Sequence, residues 1–137
     1  MADNPAFARR VFRWAAIYGI LALAPGYFLE TRIGSSQPPP ITHPEYFYGF
    51  IGIALAWQVV FLVIARDPVR FRPLMLPAVL EKLAFGGASL VLFALQRIGG
   101  PVLAGGLIDL GLAVAFVLAY MKCPEAAQPG RGALPPV

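Results

Sequence analysis

Four stretches of predominantly apolar residues, each about 20 long and separated by short joins, constrain this chain more than any other feature. They run from about Val11 to Phe28, Tyr46 to Ala65, Leu74 to Leu95 and Pro101 to Met121. A helix rising about 1.5 Å per residue crosses the hydrocarbon layer of a bilayer in that length. Backbone in lipid must satisfy its own hydrogen bonds, so only helices or a closed barrel can cross. A barrel strand alternates apolar and polar residues, and these runs do not. The expected fold is therefore all-α: an integral membrane four-helix bundle, up-down-up-down, with one domain over residues 1–123. The remainder, 124–137, is rich in Pro, Gly and Ala and is expected to be disordered.

Composition agrees. Charged residues make up 13% of the chain and hydrophobic ones 58%, and the mean hydropathy is +0.70. A soluble domain carries about a quarter charged residues, so much of this surface is expected to face lipid. The net charge of +4 does not point to nucleic acid. The basic residues stand at the ends of apolar runs rather than among aromatics on a polar face, which is a membrane-orientation pattern. A single cysteine, Cys123, cannot form an intramolecular disulfide. One histidine and scattered carboxylates give no metal-ligand spacing, so no metal or cofactor is expected. Ala22-Leu23-Ala24 has the form of a signal-peptide cleavage site, but Pro25 would block the cut. Arg9-Arg10-Val11-Phe12 echoes a twin-arginine signal without an exported domain behind it. The first run is thus read as an uncleaved span.

Lys and Arg set the orientation. One side carries Arg9, Arg10, Arg13, Arg66, Arg70, Arg72, Lys122 and Arg131; the other carries Arg32 and Arg97. The positive side is cytoplasmic, which places both termini and the middle join on the cytoplasmic face of an inner membrane. Trp14 and the Tyr46-Phe47-Tyr48 trio suit the two interfaces as anchors. The outer join near Glu30 to His43 is expected to be a connector stiffened by Pro38-Pro39-Pro40. At the start of the second span, Pro44 suits the first helical position and Glu45 the positive dipole end. Pro25 is expected to kink the first helix. Small residues mark expected contact faces: Ala15, Gly19, Ala22 and Gly26; Gly49, Gly52 and Ala56; Gly111, Ala115 and Ala119. Such faces serve a bundle or a homo-oligomer equally well.

Ionisable side chains inside the membrane are the sharpest signal. Each costs about 2.5–3.5 kcal/mol to insert, so Glu81, Lys82 and Asp109 need an explanation. Counted from the cytoplasmic ends, Glu81 and Lys82 lie roughly 12–15 Å deep, Gln58 roughly 12 Å and Asp109 roughly 18 Å. Lys82 shares a helix face with Ala78, Gly86 and Ser89, and Asp109 shares one with Gly105 and Ala113. Small neighbours let two helices approach, which predicts a Lys82–Asp109 ion pair. Glu81 points about 100° away from Lys82, with Gln58 and Tyr18 as expected partners. Two readings stay open: these groups fix helix register, or they form a ligand or proton site with Glu81 at its centre. The middle join, Arg66-Asp67-Pro68-Val69-Arg70-Phe71-Arg72-Pro73, sets three arginines at the inner surface. Arg66, Arg70 and Arg72 are candidates for contact with anionic lipid or a partner.

The stretch His43 to Lys82, HPEYFYGFIGIALAWQVVFLVIARDPVRFRPLMLPAVLEK, resembles small bacterial four-helix inner-membrane proteins, and the whole chain is similar in layout to DoxX-like proteins. The resemblance implies a bacterial inner-membrane location and transfers no catalytic residue. Small multidrug transporters are similar in size, but their key carboxylate stands in the first helix, where this chain has none. The function expected is non-enzymatic: binding of a lipid-like or apolar small molecule, or service as an accessory subunit of a membrane complex. A proton-coupled carrier using Glu81 and Asp109 is the first alternative. An enzyme acting on an apolar substrate is the second, and it lacks a nucleophile–base pair, a metal signature and a phosphate loop.

Overall fold

A computed structural model describes residues 4–37 and 40–126 of the chain. All regular structure in these residues is helical. Among the described residues, four helices are long and apolar enough to cross a membrane: Pro5–Phe28, Pro44–Arg66, Arg72–Ala94 and Gly100–Lys122. Pro38 and Pro39 of the proline run lie outside the described residues, as does the expected disordered tail beyond Ala126.

Helix α1 (Pro5–Leu23) begins where Asn4 caps it, accepting on Oδ1 from the Phe7 N–H at 3.0 Å, with Pro5 at the first helical position. The helix therefore starts six residues before the apolar run, drawn back by this cap. Pro25 has no N–H to offer the α-helical ladder. The chain tightens there into a 3₁₀ segment, Ala24–Phe28, rather than kinking within a continuing α-helix. The outer join is not a plain connector: Glu30–Ser36 forms a short helix, α2. Tyr48 donates to Glu30 Oε2 at 2.7 Å and stacks on Tyr27, tying this helix to the next span.

Helix α3 (Pro44–Arg66) opens on Pro44 and Glu45. After it, Asp67-Pro68 turns the chain; Asp67 accepts from the Phe71 and Arg70 N–H groups. A 3₁₀ turn (Arg72–Leu74) then leads into α4 (Met75–Ala94). Gln96 ends α4 with φ 55°, while its N–H bonds the Phe93 carbonyl and that of Arg97 bonds the Leu92 carbonyl. This is the bonding of a Schellman cap, with a glutamine in the left-handed place that glycine usually takes. Helix α5 (Gly100–Lys122) completes the fold.

Packing joins α1 to α3, α4 to α5, and α1 to α5. Along α3 and the first span (α1 with its 3₁₀ extension), Phe12 meets Phe61, Gly19 meets Gln58 and Gly26 meets Ile51, so rising numbers on one pair with falling numbers on the other. At the end where Asn4 N–H reaches the Lys122 carbonyl at 2.7 Å, Phe12 stacks on Phe116 at 4.2 Å, and Phe61 meets Phe116 edge-on at 5.0 Å. Three helices are locked there by aromatic contact, the kind of dispersion packing that lipid cannot imitate.

The tight approaches only partly follow the expected small-residue faces. A Cβ on Gly19 would run into the Gln58 amide, and one on Gly86 or Gly106 would strike α5 or α4 respectively. Gly49 and Gly111, by contrast, face open space, and Ala22 and Ala56 are exposed. Of the residues expected on α5, Ala119 is buried; the other buried small residues of α3 and α5 are Ala54, Ala65, Gly106 and Ala113. A spacing of four residues fits a helix face, but spacing alone does not say which face meets a neighbour. The outer surface is strongly apolar, with Leu21 71% and Phe28 89% exposed. So many exposed large apolar side chains, on all four long helices, fit a surface that faces lipid.

Candidate functional site

Helices α3 and α4 follow one another in the chain yet touch at few points. Between them lies a cleft of about 430 Å³, lined by Phe50, Ile53, Ala54 and Trp57 from α3 and by Pro77, Leu80, Glu81, Ala84 and Phe85 from α4. The spacing explains the lining. Phe50, Ala54 and Trp57 recur at helical intervals on α3, and Pro77, Glu81 and Ala84 or Phe85 do so on α4. Large side chains on both faces hold the backbones apart. Phe50 and Phe85 meet across the gap with ring centroids 5.6 Å apart. Sequence reasoning missed the aromatic residues of this wall. Their signal was available as the recurrence of Phe50 and Trp57 seven residues apart, on one face of α3.

Glu81 is the ionisable member of the lining. Behind it, Lys82 Nζ lies 3.2 Å from Glu81 Oε2 and 3.1 Å and 3.2 Å from the two Asp109 oxygens. The expected Lys82–Asp109 contact is therefore formed across α4 and α5. Gly86 and Gly106, packed against Leu110 and Ser89, allow these two helices the necessary approach. Lys82 also stands 5.5 Å from the centroid of Phe61, towards the aromatic core. Its side chain is 7% exposed, against 17% for Glu81 and 14% for Asp109. A buried ammonium with two carboxylates gains Coulomb energy that an isolated buried charge lacks. With both carboxyls ionised, the three carry one negative charge in excess.

Two expected members stand elsewhere. Tyr18 is 43% exposed on the outside of α1 and does not reach Glu81. Gln58 is buried but turned towards α1. Its Nε2 donates to the Ala54 carbonyl at 2.9 Å, its amide fills the notch at Gly19, and its Oε1 has no hydrogen-bond partner. Lys82 takes the place assigned to both of them. Its four-carbon stem lets Nζ swing between adjacent carboxylates, although the two Cβ vectors diverge.

The three arginines of the middle join divide. Arg72 binds Glu125 at 2.9 Å and stacks over Tyr120, which fastens the join to the end of α5. Arg66 and Arg70 line a shallow hollow of about 300 Å³ with Val63, Asp67 and Phe71. Among the described residues, no group of three or more His, Cys, Asp or Glu side chains is placed to hold a metal ion.

Comparison of the chain with protein-family models, with curated proteins and with solved structures finds no match.

Proposed function

We propose that this chain is a non-enzymatic, multi-pass inner-membrane protein that holds a lipid-like or apolar small molecule in the cleft between α3 and α4. The observation that carries the reading is the composition of that cleft: aromatic and aliphatic walls, with a single carboxylate, Glu81, anchored from behind by Lys82. Small-molecule sites have this character, mostly apolar with a few placed polar groups. The exposed flanks Ile53 and Leu80 open it sideways, where acyl chains would lie. An up-down-up-down course with both termini in the cytoplasm is supported by the reversed pairing of α1 with α3 and by the skew of basic residues. Bacterial origin rests on the resemblance of the His43 to Lys82 stretch.

The test is extraction of the full chain, purified in mild detergent, followed by mass spectrometry. A discrete apolar compound at near one per chain is expected, and Ala84→Phe, which fills the cleft, should lose it. Bulk bilayer lipid alone, unchanged in Ala84→Phe, would contradict the reading. The excess carboxylate favours a proton-coupled carrier as the second reading, with Glu81 and Asp109 exchanging the proton. Glu81→Gln would then stop proton-linked uptake while leaving the chain folded.

A further inference from the structure

We propose that the occupant of the α3–α4 cleft is a lipophilic organic monocation, an amine or onium carried on an apolar body. This rests on the cleft being a binding site. Lys82 spends its single positive charge on two carboxylates: both Asp109 oxygens lie within 3.2 Å of Nζ, and Glu81 receives the remainder at 3.2 Å. Among the described residues no second cation is paired with either carboxylate. With both carboxyls ionised, one negative charge is left over at a depth where an uncompensated charge is costly. Of the two carboxylates, only Glu81 lines the cleft. A positive charge arriving through the cleft therefore meets the excess directly.

The walls fit the same chemistry. Phe50, Trp57 and Phe85 border the space, and aromatic faces attract cations through their quadrupole, most strongly when desolvated. The chain already uses such contacts, with Lys82 over Phe61 and Arg72 over Tyr120. No arginine or lysine lines this cleft, so an anion has no counter-charge there. A volume of about 430 Å³ with aliphatic sides at Ile53 and Leu80 suits an organic body rather than a bare inorganic ion.

The test uses the full chain carrying Trp14→Phe, so that Trp57 is the sole tryptophan, in nanodiscs of zwitterionic phosphatidylcholine. Three probes of similar aromatic bulk are titrated: tetraphenylphosphonium, neutral triphenylphosphine oxide and anionic tetraphenylborate. Protein-free nanodiscs with free tryptophan correct for partitioning. Saturable change in Trp57 emission is expected with the cation at about tenfold higher affinity than with the neutral probe, and none with the anion. Glu81→Gln should weaken the cation about tenfold and leave the neutral probe unchanged. The probe ratio on the unaltered cleft reads the claim even where the variant folds poorly. Equal affinity for cation and neutral probe would overturn the cationic assignment and leave the binding site standing. No saturable change with any probe, and none removed by Ala84→Phe, would overturn both.

Discussion

Lys82 is the residue on which the interior of the molecule depends. It is the only cation bonded to Glu81 and Asp109 among the described residues, and its removal leaves two carboxylates facing each other away from water. Breaking a buried charge group from its central member costs about 3–5 kcal/mol. Lys82→Met is therefore expected to lower stability by that amount in reversible unfolding in mixed micelles. Asp109→Asn and Glu81→Gln should each cost less, because Lys82 keeps one partner in either case. A Lys82→Met chain as stable as Asp109→Asn would contradict the arrangement. Gly19 makes a second test at this scale. A methyl there overlaps the Gln58 amide, so Gly19→Ala should destabilise by about 1–3 kcal/mol. Gly87 has nothing within 4 Å of the same methyl, and Gly87→Ala should be neutral or stabilise by up to about 1 kcal/mol. Thermal melts of both variants side by side would decide it.

Among the elements, the cap of α4 carries a local conflict. Gln96 at φ 55° occupies a conformation that costs a side-chain-bearing residue about 1–2 kcal/mol, yet both cap hydrogen bonds are made. Gln96→Gly should keep those bonds and raise stability by about 1 kcal/mol, less what the freer unfolded chain takes back. An unchanged or lowered melting temperature would count against strain at this turn. The same scale shows what was legible beforehand. The four long helices follow from apolar length, and the Lys82–Asp109 contact follows from small residues at four-residue intervals beside two opposite charges. Helix α2 was not legible, because seven residues without an apolar face depend on Tyr48 reaching Glu30 from another element. Tyr18 was misplaced because a membrane helix is apolar all round, and its inward face leaves little trace in hydropathy. Glu81 turned to Lys82 rather than Gln58 because side-chain reach decides where a charge ends, and a helical wheel records only its start.

For the molecule as a whole, the bundle is closed on three seams and open on the fourth. Aromatic stacking through Phe12, Phe61 and Phe116 holds α1, α3 and α5 together, and glycine contacts hold α4 to α5. Bulky residues keep α3 and α4 apart, and the buried charges stand at the back of that gap. The arrangement requires the gap to lie inside the hydrocarbon layer. Trp57 is nine residues from Arg66, roughly 14 Å from that end of α3, and lines the gap. Its fluorescence in the Trp14→Phe chain, reconstituted with phosphatidylcholines brominated at successive acyl positions, measures this directly. Quenching should be strongest for bromines deep in the chain, should fall in Ala84→Phe, and should be weak with aqueous iodide. Strong iodide quenching with no response to brominated lipid would mean that the cleft faces water, and the intramembrane site would be lost.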